Sequence, residues 1–162
     1  MKKILKLSIV LLGALFVLLG CRSESKSVFV LQTEHSKVTY TYVYDKENDT
    51  VLSLTTDSVV RLSGVPEYAT AALQRRDEIV NQMKATEGVK VTSVDSEKEI
   101  AFNVEIDMKK FKLDDSESRA KAPSLYETMD VALIKKDGKV SFSASKENIE
   151  RLGFVEQKEE KK

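Results

Sequence analysis

The residue with the most distinctive chemistry in this chain of 162 residues is Cys21, because the chain has no other cysteine. A thiol without a second thiol forms no disulfide within the chain, and it stays available as a nucleophile. Cys21 directly follows Leu18-Leu19-Gly20, and the small Gly20 suits a peptide bond that a protease must approach. The pattern therefore points to covalent modification of the Cys21 thiol.

The segment before Cys21 has the organisation of an export signal. Its first residues are basic, with lysines at positions 2, 3 and 6, and residues 7–19 are an apolar run. A helix that spans a membrane needs roughly 20 apolar residues, and Arg22 follows before that length is reached. The pattern predicts a signal peptide over residues 1–20. The alternative is an uncleaved membrane helix with an incidental cysteine.

The sequence Leu18-Leu19-Gly20-Cys21 resembles the lipobox of bacterial lipoproteins. The resemblance implies transfer of a diacylglyceryl group to the Cys21 thiol, cleavage between Gly20 and Cys21, and often acylation of the new amine by a fatty acid such as palmitate. Two or more acyl chains make a stable anchor, whereas one chain is marginal. We therefore expect a lipid-anchored protein at the extracytoplasmic face of the cell membrane, with the membrane as its partner.

Residues that could act in catalysis occur in patterns that have simpler explanations. His35 is the one histidine and lies in a predicted turn, so a zinc site of the common His/Cys type lacks further ligands. Ser143-Ala144-Ser145-Lys146 has a Ser-x-x-Lys order, but a strand end followed by a helix cap accounts for it equally. We expect no catalytic residue and no cofactor, and we expect that the protein is not an enzyme.

Two charged clusters could bind ions or lipid. The run from Asp114 to Glu117, with Asp107 upstream, could hold calcium, but it lacks the alternating spacing and the glycine of an EF-hand. A solvated acidic loop without a metal is the favoured interpretation. Arg75-Arg76 could meet lipid phosphates, or it could form a charged helix face paired with Asp77 and Glu78, which we favour.

A stripe of tyrosines is the constellation most suggestive of binding. Tyr40, Tyr42 and Tyr44 share one face of a predicted strand, because side chains alternate along β-structure. Exposed tyrosines could stack on sugar rings or contact a protein partner, so these three are candidate ligand or partner contacts. The same residues could be the inner face of the strand, and this second interpretation is favoured.

The composition excludes some classes of function. Lys plus Arg equals Asp plus Glu at 26 each, and removal of the three leader lysines leaves a slight acidic excess. Binding to nucleic acid needs a concentrated basic face, so we expect no nucleic-acid partner. With no disulfide available, the mature domain must be stabilised by packing alone, which its length allows.

The elements that must position these residues follow from hydrophobic periodicity. Strands alternate apolar and polar residues, most clearly over residues 99–108, and the longest helix is predicted from Glu67 to about Thr86 with Gly88 as its stop. Lys109–Ala122 is predicted to be a mobile loop. Ser124-Leu125-Tyr126-Glu127 has the pattern of a capping box, and Ser145 is predicted to cap a last helix. The predicted strands are 28–32, 37–44, 50–62, 89–95, 99–108 and 139–143.

This order of elements predicts an α+β fold, a two-layer sandwich in which a mainly antiparallel sheet has helices packed on one face. The predicted organisation is a signal peptide over residues 1–20, a short tether over 21–27, a single domain over 28–156 and a frayed tail over 157–162. An extended tether from Cys21 to Val28 reaches only about 20 Å, so we expect the domain to lie close to the membrane.

The chain is similar to the YehR-like lipoproteins, a family of bacterial proteins without an established activity. The similarity is carried by the lipobox at Cys21, by Thr39-Tyr40-Thr41-Tyr42, by the alternating run from Val104 to Met108, and by the ending from Ile149 to Phe154. It implies a compact two-layer α+β domain and no specific activity.

The expected function is therefore that of a non-enzymatic, membrane-proximal binding or accessory module of the cell envelope, whose partner is an envelope protein or a small ligand. Two alternatives stay open. One is a small envelope hydrolase, supported by the acidic loop and scattered serines and aspartates. The other is a single-lobe carrier of a peptide or lipid, held in a groove between sheet and helices.

Overall fold

The computed structural model describes residues 23–62, 66–96 and 98–158. The predicted signal peptide and Cys21 lie outside the described residues. In chain order the elements are β1 (Glu24–Gln32), β2 (Ser36–Asp45), β3 (Thr50–Arg61), α1 (Pro66–Lys84), β4 (Val89–Asp95), β5 (Glu99–Asp107), α2 (Ser116–Lys121), α3 (Pro123–Ala132), β6 (Ile134–Lys136), β7 (Lys139–Ser141), α4 (Phe142–Arg151) and β8 (Val155–Gln157).

The strands form one antiparallel sheet, with the order β4-β5-β3-β2-β1-β8. β3 lies at the centre and is hydrogen-bonded along its length to β2 on one side and β5 on the other. The short β6–β7 hairpin joins the sheet where Ser141 pairs with Thr50. Short turns connect β1 to β2 and β2 to β3, which is the connection that antiparallel neighbours allow.

The strand residues alternate between a helix-covered face and an open face. On β5, Ile100, Val104 and Ile106 are buried, whereas Glu105 is exposed. Helices α3 and α4 contribute buried residues from Leu125 to Ala132 and from Phe142 to Ile149 to the same core. One apolar face of the sheet is thus buried under helices, and the predicted α+β sandwich is confirmed.

Strand β1 begins at Glu24, earlier than the Val28 start that the sequence predicts. Its first residues, including Ser25 and Lys26, pair with Tyr44 and Val43 of β2, although they are polar. A polar sequence gives little signal for a strand, and the pairing with β2 supplies what local preference does not. The connection from Cys21 to the sheet is therefore shorter than expected.

The segment Lys109–Ala122 is not the mobile loop that its polar composition predicts. Phe111 and Leu113 are buried in the core. Asp115 caps α2, because its carboxylate accepts hydrogen bonds from the amides of Glu117 and Ser118. These two apolar side chains, spaced by one residue, pack the segment onto the core.

The predicted helix caps are displaced along the chain. α3 starts with Pro123 at its first turn and has no side-chain cap, so the predicted capping box at Ser124 is absent. α3 ends at Ala132 and does not reach the predicted end near Asp137-Gly138. α4 is capped by Ser141, whose hydroxyl accepts from the Ala144 amide at 3.1 Å, and Ser145 lies inside the helix.

The last described residues form a strand that the sequence did not predict. Phe154 returns to the core. After it, β8 (Val155–Gln157) pairs with β1 between Val28 and Val30. This places a short strand at the edge of the sheet and covers part of the β1 edge.

Candidate functional site

The three candidate tyrosines belong to the core. Tyr40 and Tyr42 are 4% and 0% exposed, and Tyr44 is half-buried with its ring stacked on Phe142 at a centroid distance of 3.5 Å. The Tyr40 ring stacks on Phe154 at 4.7 Å. Desolvation by burial raises the pKa of Tyr40 and Tyr42 above the ordinary value of a phenol. The interior alternative is therefore the one observed, and these rings are not a stacking platform for a ligand.

The candidate basic residues lie in two places. His35 is in the β1–β2 turn, and Arg76 is in α1. His35 is exposed in the β1–β2 turn, with Nε2 3.9 Å from the Glu34 carboxylate. Arg76 forms ion pairs with Asp77 and with Asp95 of β4, so it ties α1 to the sheet. The pairing of the arginine with Asp77 agrees with the favoured interpretation of a charged helix face, and Asp95 is a partner that the sequence did not suggest.

The serines that resemble a nucleophile motif have structural partners. Ser143 donates through Oγ to Asp49 at 2.7 Å and through its amide at 2.8 Å, while Ser141 also donates to Asp49. Ser145 Oγ donates to the Ser141 carbonyl and accepts from the Ile134 amide. These contacts cap α4 and hold β6 against it.

The lysine of that motif points to a different partner. Lys146 forms an ion pair with Glu156 of β8, and the hydrogen bond between them raises the pKa of Lys146 and lowers that of Glu156. A lysine with a raised pKa holds its proton more firmly, which is the opposite of what a general base requires. The Ser-x-x-Lys order thus serves helix capping and the attachment of β8.

The acidic run is also engaged in local structure. Asp114 pairs with Lys135, Asp115 caps α2, and Glu117 pairs with Lys121. Hydrogen bonds from Ser118 lower the pKa of Asp115. Within the described part of the chain, no three His, Cys, Asp or Glu side chains form a group that could hold a metal ion.

The candidate binding site is a groove of about 210 Å³ between the sheet and helices α1 and α3. Its floor comes from neighbouring positions of β3 and β5, and its walls come from the described half of α1 and the first turns of α3. A concave, mostly apolar surface with a few polar groups is typical of small-molecule sites. The lining residues are Thr56, Ser58, Ile79, Met83, Phe102, Val104, Ser124, Leu125, Thr128 and Met129.

The chemistry of the groove is apolar with four hydroxyls. Thr128 Oγ1 already donates to the Ser124 carbonyl at 3.0 Å. Thr56 is only 6% exposed, and its Oγ1 is buried without a hydrogen-bond partner in the described part of the chain. A buried hydroxyl without a partner is uncommon in folded proteins and calls for an explanation. No sequence signal distinguishes Thr56, because its neighbour Thr55 has the same type and faces the opposite side of the sheet.

A second cavity, the lysine cleft, is defined by Lys112, Lys135 and Lys139 around a floor that includes Val51 and Phe111, with a volume of about 740 Å³. Two of the lysines are already engaged, Lys135 by Asp114 and Lys139 by the carbonyl oxygen of Asn48. The cleft opens between the loop before α2 and the β6–β7 hairpin.

The lysine cleft lies at the same end of the sheet as the start of β1. The Lys46 amide donates to the Ser23 carbonyl at 3.0 Å, and Asn48 of the same β2–β3 turn accepts from Lys139. The chain therefore enters the described domain beside this cleft. The groove lies farther along β3 and β5, at residues 56–58 and 102–104.

The fold and these cavities define a two-layer α+β protein with an open antiparallel sheet and an apolar groove under its helices. The fold is similar to the NMR structure of the YehR protein of Escherichia coli, with a TM-score of 0.64 and 20% identity over 88% of this chain and 96% of that chain. It is also similar to the NMR structure of a protein from Streptococcus pneumoniae TIGR4, with a TM-score of 0.55 and 17% identity over 85% of this chain and 87% of that one.

The YehR-like relationship predicted from the sequence is confirmed by this structural similarity, which at such identities concerns the fold. No protein-family model matches the chain, and the curated proteins give no significant match. Among the described helices, none combines the length and the apolar character needed to cross a membrane.

Proposed function

We propose that this protein is a lipid-anchored extracytoplasmic lipoprotein, attached through Cys21, that serves as a non-enzymatic binding module of the cell envelope. The observation that carries the proposal is the lipobox-like sequence at Cys21 so close to the domain. β1 begins at Glu24, and an extended chain between these residues reaches only about 10 Å. Such a tether would hold the domain against the membrane.

The end of the domain beside Ser23 is suited to that position. The lysine cleft lies there, with three lysines and two aspartates in its lining. Three lysines against two aspartates leave the cleft with a net charge near +1, and one positive charge near a membrane with anionic lipids gains roughly 1 kcal/mol from the surface potential. A tether at Ser23 would turn this cleft toward the lipid headgroups, and the groove would remain accessible on the side of the domain.

The non-enzymatic part of the proposal is supported by the roles of the candidate catalytic side chains. Ser143 and Ser145 stabilise the start of α4, and Lys146 is paired with Glu156. In contrast, the groove offers a concave apolar surface and an unengaged hydroxyl, which are features of binding. The carrier alternative is thus favoured over the hydrolase by a specific cavity.

Mass spectrometry of the protein purified from membranes of the producing bacterium tests the anchor. The expected mature N-terminus is Cys21 with a diacylglyceryl group on its sulfur. Cys21→Ser is expected to abolish the modification, to leave the leader attached and to release no acylated species. The double variant Cys21→Ser with Ser23→Cys is the matched control, since it retains a thiol two positions away and is also expected to remain unmodified. Acylation of the double variant, or an unmodified wild-type N-terminus, would refute the proposal.

A further inference from the structure

The floor of the groove under α1 and α3 offers no backbone groups to a ligand. Thr56 pairs with Tyr40 of β2 and with Val104 of β5, and Phe102 of β5 pairs with Ser93 of β4. Every strand of the floor therefore has neighbours on both sides, and its amides and carbonyls are used within the sheet. A bound peptide needs partners for its own backbone groups and would find few of them here. An alkyl chain needs none.

The side chains of the groove select against charge. The described lining residues are six apolar side chains and four hydroxyl-bearing ones, with no ionisable group among them. A carboxylate or ammonium that entered would lose its hydration without an opposite charge to replace it. Met83 and Met129 line the groove from α1 and α3, and methionine adapts readily to the shape of a flexible chain.

One polar group beside the groove has no hydrogen-bond partner. Thr56 Oγ1 is buried and has no partner in the described part of the chain, whereas Thr128 Oγ1 is already bonded to the Ser124 carbonyl. A hydroxyl can donate one hydrogen bond and accept others. Because Oγ1 has almost no accessible surface, a neighbouring side chain of the groove must shift before a ligand atom can reach it. An uncharged carbonyl that then accepts its hydrogen bond would remove the cost of the unpaired hydroxyl and keep the groove free of charge.

We propose that the groove binds the acyl chain of a neutral lipid ester, with Thr56 Oγ1 donating a hydrogen bond to the ester carbonyl. A groove of about 210 Å³ is below the usual size of a site for a whole drug-sized ligand, so it would hold part of a lipid. The groove therefore fits an acyl chain of medium length or the first part of a longer one. This inference rests on the proposed function in one respect, because the anchor would place the groove near membrane lipids. The binding of an acyl chain in the groove does not itself require Cys21.

Photochemical labelling of the full-length protein in isolated membranes tests the inference. The probe is 1-octanoylglycerol with a diazirine at the end of the acyl chain, and peptide mass spectrometry maps the labelled positions. We expect labels on groove residues such as Met83, Phe102 and Met129, and loss of these labels when unlabelled 1-octanoylglycerol is added in excess. Octanoate is expected to compete at least about tenfold less well, because its carboxylate would be desolvated.

Matched variants test the role of the hydroxyl. Thr56→Val preserves the shape of the side chain. In this variant, the concentration of unlabelled 1-octanoylglycerol needed to remove the labels is expected to rise by about five- to tenfold, the equivalent of one hydrogen bond. Thr56→Ser restores the hydroxyl and is expected to restore binding. Thr55→Val is the control, because it makes the same change on the same strand but on the open face of the sheet.

Three outcomes would overturn the inference. The first is that the labels lie outside the groove. The second is that excess 1-octanoylglycerol does not remove the labels, which is expected if only water occupies the groove. The third is that the wild type and Thr56→Val bind equally well. The Cys21→Ser variant separates this inference from the proposed anchor. Groove labelling that persists in that variant supports the acyl site even where anchoring is refuted, and normal acylation of Cys21 without groove labelling refutes only the site.

Discussion

Tyr42 Oη donates a hydrogen bond of 2.7 Å to the carbonyl oxygen of Ala132. Both residues are fully buried, and the bond joins the central part of β2 to the last turn of α3. The last carbonyls of a helix have no partner within the helix, so a buried helix end needs donors from elsewhere. Tyr42 supplies one, which explains why a tyrosine rather than a phenylalanine is placed in this part of the core.

Tyr42→Phe is expected to lower the free energy of unfolding by about 1–3 kcal/mol, because the Ala132 carbonyl would stay buried without its donor. Urea denaturation followed by circular dichroism measures the change. Tyr44→Phe is the control, since Tyr44 is half-buried and contributes mainly the stacking of its ring on Phe142. Equal losses in the two variants would contradict the role assigned to the Tyr42 hydroxyl.

The same hydroxyl makes stability depend on alkaline pH. Desolvation by burial, and to a smaller extent the neighbouring Tyr40, raises the pKa of Tyr42. The phenol stays protonated in the folded protein, whereas in the unfolded chain it ionises above about pH 10. The unfolded state thus binds fewer protons there, and stability is lost as the pH rises beyond that value. Urea denaturation between pH 8 and 11 should show a steeper loss for the wild type than for Tyr42→Phe, and parallel curves would exclude the linkage.

The sequence predicts the sheet better than it predicts the groove. The alternation from Ile100 to Ile106 identifies a strand with one buried face, and the structure confirms it. Thr55 and Thr56 are neighbours of the same type, yet one faces the open side and the other lines the groove. The groove is built from β3, α1, β5 and α3, which are distant in sequence. No local sequence pattern could therefore predict it.

The start of α4 differs from the sequence prediction for a related reason. Ser141, Ser143 and Ser145 are all suitable caps by residue type, and the sequence alone favoured Ser145. Ser141 is the cap because Asp49, from the distant β2–β3 turn, accepts hydrogen bonds from Ser141 and Ser143 and fixes the start of α4. Tertiary contacts thus choose among caps that are locally equivalent.

Asp49→Asn is expected to lower the free energy of unfolding at neutral pH by about 1–2 kcal/mol, because charge-assisted hydrogen bonds become neutral ones. Asp49 has φ 50°, a conformation that Asn also tolerates. Asp137→Asn is a close control, since Asp137 has φ 53° and lies exposed in the β6–β7 turn. A similar loss at both positions would attribute the effect to backbone conformation instead.

Asp49 should also contribute to acid sensitivity. Burial alone would raise its pKa, but the hydrogen bonds from Ser141 and Ser143 outweigh it and the pKa is lowered. A carboxyl with a lowered pKa stabilises the fold above the ordinary value of about 4 and loses this contribution as the pH falls through its folded-state pKa. Denaturation curves from pH 7 to pH 3 should therefore converge for the wild type and Asp49→Asn, and a constant difference would contradict the assignment.

Arg119 fixes the segment before α2 onto the core. Its guanidinium forms two hydrogen bonds to Asp130 of α3, at 2.6 and 2.9 Å, and one to the Leu113 carbonyl at 2.9 Å. Arg119→Lys loses the forked geometry, so amide exchange at Phe111 and Asp115 should accelerate by roughly three- to tenfold. Lys121→Ala is the control, because it breaks only an exposed ion pair with Glu117. Amide exchange at Phe111 and Asp115 should stay unchanged in this variant. Equal protection in Arg119→Lys and the wild type would show that Phe111 and Leu113 suffice.

Gly88 and Gly138 separate two costs of adding a side chain. Both have positive φ, at 79° and 78°. A Cβ at Gly88 would lie 2.6 Å from the Phe111 nitrogen and 3.0 Å from the Asp107 oxygen, whereas a Cβ at Gly138 meets nothing within 4 Å.

Gly138→Ala should therefore cost only the left-handed conformation, about 1–2 kcal/mol of unfolding free energy. Gly88→Ala adds a collision with backbone atoms that cannot rotate away, and its loss should exceed that of Gly138→Ala by about 1–3 kcal/mol. Urea denaturation of the two variants measures the difference directly. Equal losses would mean that the turn after α1 moves away from Phe111 at little cost, and that the buried segment before α2 is held by Arg119 and its apolar side chains rather than by close contact with Gly88.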